Sequence, residues 1–223
     1  VYMNPDSTLT PNATSLFRGT TLSKKSRGLN DFDGIPPWRF YSFGWRWAVD
    51  VLLKEANTGL CTSDCYYPVL YVFRQYLEIK LKELIIELEL YLNSKKIDLK
   101  ELKKRGGKNG HEIKPLWNNC ESLLIKFSSG DESEPEDFEC HNENLTNFKN
   151  IGRVISEIYE KDPLSFAYRY PPDAEQDAEK YTVDMNHFSE NALWVTNYLE
   201  GVSDWIETIE NLRNESADCY DES

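Results

Sequence analysis

The segment from Pro68 to Leu92 limits the fold of this chain more than any other part of the sequence. It holds roughly 25 residues, has no glycine or proline after its first position, and is rich in residue types that favour a helix. At about 100° per residue, its apolar side chains form two stripes on nearly opposite sides. One stripe is Leu70, Phe73, Leu77, Leu81, Leu84, Ile85, Leu88 and Leu92, and the other is Val72, Tyr76, Ile79, Ile86 and Leu90. A helix that is apolar on two sides must pack on two sides, so the segment predicts a central helix about 37 Å long.

Four other segments place apolar residues at helical spacing. They are Trp38 to Asn57, His111 to Phe127, Asn142 to Lys161 and Asn186 to Leu212. Between Leu164 and Val183 an aromatic and then polar connection leaves room for a short strand. With about five helices and no reliable strand, the sequence predicts an all-α protein, most simply an antiparallel helical bundle.

The two ends of the chain differ in composition from the predicted bundle. Residues 1–37 are rich in Ser, Thr, Asn, Gly and Pro without a sustained period, which is typical of an irregular N-terminal arm. Residues 38–212 carry the helical patterns, and residues 213–223 form an acidic tail. We therefore expect one helical domain with an extension at each end.

Composition places the chain among cytoplasmic globular proteins. Of its 223 residues 40% are hydrophobic, which is enough to close a core. No stretch approaches the roughly 18 uncharged apolar residues that a membrane span needs, and the first residues show no export signal. Five scattered cysteines, an odd number, fit reduced thiols better than a disulfide framework. We expect a cytoplasmic protein that does not contact membranes.

Charge is distributed unevenly along the chain. The 25 Lys and Arg residues against 38 Asp and Glu residues give a net charge of −13, which disfavours a protein that coats long nucleic acids. The segment from Lys95 to Lys108, however, contains seven basic residues and only two acidic ones, Asp98 and Glu101. This basic tract on an acidic chain predicts a local contact with phosphate groups.

Common catalytic and metal-binding motifs do not occur in the sequence. No four-ligand zinc spacing can be written from its cysteines and histidines, and no P-loop, dinucleotide fingerprint, Gly-x-Ser-x-Gly or His-Glu-x-x-His pattern is present. The acidic residues between 128 and 139 have the pattern of a solvated loop. We therefore expect no metal and no cofactor.

Three charged residues follow one another at four-residue spacing on the predicted central helix. Arg74 lies about 40° from the centre of the apolar face, and Glu78 and Lys82 follow at i+4 and i+8. A buried guanidinium needs a carboxylate partner, so the pattern predicts a buried pair between Arg74 and Glu78. Such a pair either fixes the helix register or takes part in function.

The sequence Arg105-Gly-Gly-Lys108-Asn-Gly-His111 predicts a flexible basic loop that ends at the start of a helix. Glycines allow close approach to a ligand, free amides at a helix start favour anions, and a neutral histidine serves as a general acid or base. The alternative is that Gly106, Gly107 and Gly110 turn the chain and His111 caps the helix.

These features resemble the HEPN-like superfamily of helical proteins over about residues 40–210. The resemblance lies in the run Tyr67 to Leu84, in Gly110-His111-Glu112-Ile113, and in the segment Phe166 to Pro171. It implies a helical bundle, and many members are metal-independent RNA nucleases of toxin–antitoxin and phage-defence systems. Their active site pairs an Arg with a His four to six residues later, and five residues separate Arg105 from His111. Other members are non-catalytic relatives that accompany nucleotidyltransferases.

The resemblance implies a set of site residues and partners. It implies Arg105 and His111 as the catalytic pair. The basic tract predicts that Lys103, Lys104 and Lys108 bind phosphate or RNA, and the burial of Arg74 predicts a supporting buried polar group of Arg74, Glu78, Lys82 and Arg169. The expected partners are RNA or a nucleotide, a second copy that completes the site across a two-fold interface, and an antitoxin or defence-complex subunit. The alternative is a non-catalytic module that binds a nucleotide or a partner protein.

Overall fold

The computed structural model describes residues 37–56, 58, 66–129, 138–165 and 183–221. These residues form six helices and contain no strand, which confirms the all-α prediction for this part of the chain. The helices are α1 (Pro37–Ala56), α2 (Tyr66–Asn93), α3 (Leu99–Arg105), α4 (Ile113–Ser128), α5 (Phe138–Lys161) and α6 (Met185–Asp221). The predicted arm apart from Pro37, most of the 164–183 connection and Arg169 lie outside the described residues.

Helix α2 is the central element of a packed helical bundle, as its two apolar stripes predict. It has 28 residues, so it is about 42 Å long, and it packs against α1, α4 and α6. Side chains from both stripes are buried, including Leu77 and Leu81 from one and Tyr76 from the other. The HEPN-like assignment and the antiparallel order of the helices stay predictions.

Helix α5 packs on α4 and joins the core along that contact. The Trp117 side chain of α4 is fully buried, and a Cβ built on Gly152 of α5 would lie 2.7 Å from its indole nitrogen. Glycine at this position therefore allows the two helices to approach closely. Phe148, Ile151 and Ile155 of α5 complete the buried surface of this pair.

One helix was not predicted. Helix α3 lies within the basic tract, so the described residues hold six helices rather than about five. The Asp98 side chain accepts a hydrogen bond from the Glu101 backbone N–H at 2.8 Å, and Leu102 is buried. This N-cap and the single apolar anchor stabilise a helix of 7 residues that is too short to show a periodic pattern.

The boundaries that differ most from the prediction are those of α5 and α6. Helix α5 begins at Phe138 rather than near Asn142, and α6 continues past Leu212 to Asp221. Most of the segment predicted as an acidic tail therefore has helical backbone. Among the described residues, no helix is both long enough and apolar enough to span a membrane.

Candidate functional site around His111

The loop between α3 and α4 folds tightly because three of its residues are glycines. Gly107 and Gly110 have φ angles of 72° and 76°, which residues other than glycine rarely adopt. A Cβ on Gly106 would lie 2.6 Å from the backbone of Gly110. The Glu112 N–H donates to the Gly106 carbonyl at 3.0 Å and closes the loop. The glycines therefore turn the chain and bring His111 toward α2.

His111 is exposed, yet both its ring and its backbone are held by α2. Its side chain is 54% exposed, and its Nδ1 lies 2.7 Å from Oε1 of Glu78. Its carbonyl oxygen accepts a hydrogen bond of 2.5 Å from Arg74 Nη2. Helix α4 begins at Ile113 with Glu112 as its N-cap, so the alternative role of His111 as the cap is wrong. The ring is free to meet solvent on the side that does not face Glu78.

Glu78 is the centre of a buried group of charges on α2. Its Oε2 accepts from Arg74 Nη1 at 2.8 Å, which is the pair predicted from the sequence, and its Oε1 accepts from Lys82 Nζ at 2.6 Å. The side chains of Arg74, Glu78 and Lys82 are 0%, 4% and 7% exposed. We call Arg74, Glu78, Lys82 and His111 the His111 cluster. Its exposed member is the histidine.

The charges around Glu78 determine which nitrogen of His111 carries a proton. Burial alone would raise the pKa of Glu78, but the charge of Lys82 and the hydrogen bonds from Lys82, His111 and Arg74 together lower it. Glu78 is therefore ionised at neutral pH, and an ionised carboxylate only accepts hydrogen bonds. Nδ1 of His111 must then be the donor. In the neutral ring this leaves Nε2 as the proton acceptor.

Asp162 adds a second carboxylate to the cluster and was not predicted as a site residue. It follows the last residue of α5, it is 1% exposed, and its Oδ2 lies 3.6 Å from Nε of Arg74. Arg74 thus lies between Asp162 and Glu78. In the sequence, Asp162-Pro163 indicates only the end of a helix. Nothing in that pattern indicates that the aspartate lies beside Arg74.

Glu112 attaches the loop to α5. Its carboxylate accepts from the Lys108 backbone N–H at 2.9 Å and from the Tyr159 hydroxyl at 3.2 Å. These two contacts hold the backbone on both sides of His111. No pattern in the sequence points to Tyr159, because the contact joins residues that are far apart along the chain.

The structure does not bring Arg105 and His111 together as the predicted catalytic pair. Arg105 donates to Glu89 at 2.6 Å, to Asn119 at 2.7 Å and to Glu101 at 3.1 Å. Its side chain is 14% exposed, and no hydrogen bond or ion pair joins it to His111. Glu89, which holds Arg105, lies eleven residues after Glu78, which is about 16 Å along α2.

The predicted phosphate-binding lysines lie on the surface. Lys103 and Lys104 belong to the last turn of α3 and Lys108 to the following loop, and all three are exposed. No ion pair with another described residue involves them. A Cβ on Gly110 would lie 3.2 Å from side-chain atoms of Lys103, so the loop that carries His111 packs against the lysine-bearing helix.

The described residues hold no group of three or more His, Cys, Asp and Glu side chains arranged to bind a metal ion. What the cluster offers chemically is proton transfer at Nε2 of His111, with exposed cations on the adjoining helix and loop. Comparison of the chain with family models, with curated proteins and with solved structures finds no match.

Proposed function

We propose that the protein acts on RNA as a metal-independent endonuclease whose reacting group is His111. The observation that carries this proposal is the exposed imidazole whose Nδ1 lies 2.7 Å from the buried carboxylate of Glu78. A buried carboxylate that orients an exposed imidazole leaves Nε2 available for proton transfer. The resemblance to HEPN-like nucleases supports RNA as the substrate and a toxin–antitoxin or phage-defence system as the context.

In the proposed reaction Nε2 of His111 accepts the proton of a ribose 2′-hydroxyl as the 2′-oxygen attacks the neighbouring phosphorus. The P–O5′ bond breaks, a 2′,3′-cyclic phosphate forms, and the leaving 5′-oxygen takes a proton from the imidazolium or from water. Glu78 acts as a positioning residue because it holds the ring from the protein side, and Lys82 acts through Glu78, to which it donates. Arg105 already donates to three acceptors, so stabilisation of the phosphate charge fits the exposed lysines better than Arg105.

Binding of the RNA backbone in this proposal depends on Lys103, Lys104 and Lys108. Each phosphate that these side chains neutralise releases condensed counterions, so affinity falls steeply with salt. For single strands each such contact contributes about 0.7 to the slope of log affinity against log salt concentration. Replacement of all three lysines by alanine should reduce that slope by about 2.

The test is cleavage of single-stranded RNA by the purified chain in excess EDTA. We expect wild type to cleave, His111→Ala to lose cleavage while its circular dichroism is retained, and Glu78→Gln to cleave more slowly. His187→Ala is the matched control, because His187 is an exposed histidine near the start of α6. Undiminished cleavage by His111→Ala, or complete inhibition of wild type by EDTA, would contradict the proposal.

A second candidate is a module that binds RNA, a nucleotide or a partner protein without turnover. The ion pairs that hold Arg105 favour it, because they deprive His111 of the arginine that the nuclease pattern supplies. With RNA as its ligand, this candidate predicts salt-dependent RNA binding without cleavage. Replacement of Lys54, Lys126 and Lys149, three exposed lysines outside the tract, by alanine is the charge-matched control for the tract variant.

The partners in this proposal follow from the resemblance. They are a second copy of the chain and an antitoxin or defence-complex subunit. Loss of both cleavage and salt-dependent binding in wild type would remove RNA as the ligand and leave a protein partner as the alternative.

A further inference from the structure

The loop that carries His111 also contains the one asparagine of the sequence that is followed by glycine. This is Asn109, which precedes Gly110. Asn109 is exposed, and its side chain makes no hydrogen bond with another described residue. Asparagine amides are thermolabile, and they react most readily where the next residue has no side chain to shield its backbone nitrogen. Asn109 therefore joins a reactive sequence to a side chain that the rest of the loop does not hold.

The backbone nitrogen of Gly110 is the atom that can attack this amide. Its N–H donates to the Gly107 carbonyl at 3.3 Å, which is a longer hydrogen bond than the one of 3.0 Å from Glu112 to Gly106 that closes the loop. The positive charge of the basic tract favours the anionic nitrogen through which such an attack proceeds. Gly110 is buried, so the turn must open locally first, and the reaction is slow.

We infer that Asn109 is a site of spontaneous modification, at which conversion to isoaspartate releases His111 from Glu78. The Gly110 nitrogen forms a bond to Cγ of Asn109, the Cγ–Nδ2 bond breaks, and the proton of the Gly110 N–H leaves with the amide nitrogen as ammonia. The product is a succinimide ring, which water then opens. Water that breaks the bond from nitrogen to Cγ gives aspartate, and water that breaks the bond to the main-chain carbonyl carbon gives isoaspartate.

Either product adds a negative charge to the basic tract. The new carboxylate directly follows Lys108 in the chain, and Lys103 and Lys104 lie in the last turn of the preceding helix. It competes with phosphate groups for these cations, so the affinity for RNA falls. This consequence rests on the proposed function, whereas the modification itself does not.

Isoaspartate also lengthens the backbone, because the chain then passes through Cβ and Cγ of the modified residue. The loop has little room for an added atom, since even a Cβ on Gly106 would lie 2.6 Å from the backbone of Gly110. His111 directly follows Gly110, and its Nδ1 lies 2.7 Å from Oε1 of Glu78. The longer backbone therefore moves the imidazole away from the carboxylate that orients it.

The first test is incubation of the whole chain for several days at neutral pH and physiological temperature, followed by peptide mapping with mass spectrometry. We expect the peptide that contains Asn109 to gain the mass difference between an amide and an acid and to separate into two species, aspartate and isoaspartate. Asn118 is the internal comparison, because it is also exposed but lies within α4, where the helix holds the following backbone N–H. Its peptide should stay unchanged.

The second test is nuclear magnetic resonance of the His111 ring, whose signals are identified by their absence from the spectrum of His111→Ala. In incubated wild type these signals should shift in the same fraction of molecules that contains isoaspartate. Asn109→Gln is the matched variant, because glutamine keeps the amide but cyclises far more slowly through its larger ring. After the same incubation it should keep the signals of fresh protein.

Asn109→Asp separates the added charge from the longer backbone. It should reduce the slope of log RNA affinity against log salt concentration by about 0.7, which corresponds to one phosphate contact, while His111 keeps its contact with Glu78. Circular dichroism checks that Asn109→Asp and Asn109→Gln keep their helices.

Three results would overturn the inference. They are an Asn109 that stays intact after incubation, modification as frequent at Asn118 as at Asn109, and isoaspartate at this position that leaves the His111 signals unchanged. Fresh protein that does not bind RNA would instead contradict the proposed function, and the mass and resonance measurements would still decide the inference.

Discussion

Helix α2 carries two groups of largely buried charged residues on opposite sides, and the groups differ in whether they present a reactive side chain to solvent. The His111 cluster is centred on Glu78 and reaches solvent through the exposed histidine. Glu87 lies nine positions after Glu78, about 180° around the helix, on the side of the second group. We call Tyr76, Lys80, Glu83, Glu87 and Glu200 the Lys80 cluster. The first group presents the histidine ring to solvent, whereas the second joins α2 to Glu200 of α6.

The hydrogen bonds of the Lys80 cluster join α2 to α6. Lys80 Nζ donates to Glu83 and to Glu200, at 2.8 Å in both cases, and the Tyr76 hydroxyl donates to Glu200 at 2.9 Å. Ser203 donates to Glu83 at 3.2 Å. Lys80 is 0% and Glu83 1% exposed, so the centre of this network is buried between the two helices. These contacts specify how the two helices pack.

The two clusters also have opposite balances of charge. Glu78 has two buried cations beside it, and its pKa is lowered despite its burial. Glu87 has its pKa raised to about 7, first by burial and then by the negative charge of Glu83, which outweigh Lys80. The excess of cations keeps the Glu78 carboxylate ionised, so that it accepts a hydrogen bond from the histidine. An excess of carboxylates instead makes the helix contact sensitive to pH.

The largest effect is expected for Glu78→Ala, which removes the centre of the His111 cluster. Arg74 and Lys82 would remain buried without that partner, and breaking a buried ion pair costs about 3–5 kcal/mol. Urea unfolding at pH 7 measures the loss. Glu207→Ala removes an exposed partner of Arg39 and should cost less than about 1 kcal/mol. Equal midpoints for wild type and Glu78→Ala would show that the cluster is not buried.

Lys80→Met tests the other side of α2. It leaves Glu83, Glu87 and Glu200 without their shared cation and should cost about 3 kcal/mol at pH 7. Cleavage or binding of RNA per folded molecule should not change, because this cluster does not reach the histidine. An altered RNA activity in the folded Lys80→Met protein would contradict the separation of the two clusters.

The pH dependence of stability should distinguish the clusters by its sign. The pKa of Glu87 rises from 4.5 to about 7 on folding, so the folded state binds more protons within that interval. Stability should therefore fall as pH rises from about 4.5 to 7, by about 2 kcal/mol for a side chain that is partly exposed. Glu87→Gln should abolish this fall, which unfolding in a series of buffers measures.

Glu78 should act in the opposite direction at lower pH. Its pKa is lowered on folding, so its contribution is complete above 4.5 and is lost as pH falls through its folded pKa. A Glu87→Gln protein that still loses stability between pH 4.5 and 7 would contradict the assignment of that fall to Glu87.

The smallest effect on stability is expected for His111→Asn. The ring is more than half exposed, and the Asn amide can still donate to Glu78, so the cost should be below about 1 kcal/mol. Proton transfer would nevertheless be lost, because an amide does not titrate near neutral pH. A loss above about 2 kcal/mol would mean that His111 serves packing rather than chemistry.

Periodicity along one helix predicted the parts of this protein that depend on residues close in sequence. The two stripes of α2 made it the central helix, and the four-residue spacing of Arg74 and Glu78 predicted their contact at 2.8 Å. Both follow from the geometry of a single helix, in which residues four apart share a face. Helix α3 was missed because it is too short for periodicity, although Asp98 and Glu101 have the spacing of an N-terminal capping pattern.

Contacts between distant residues were decided only by the tertiary structure. The spacing of Arg105 and His111 predicted that they form a pair. In the structure Arg105 contacts Glu89 and His111 contacts Glu78, and these two glutamates lie about 16 Å apart along α2. Asp162 and Tyr159 reach the site through the packing of α5, which no local pattern specifies. Local spacing determines which side chains share one helix face. Which helix that face meets depends on how the loops turn and on how all the helices fill the core together.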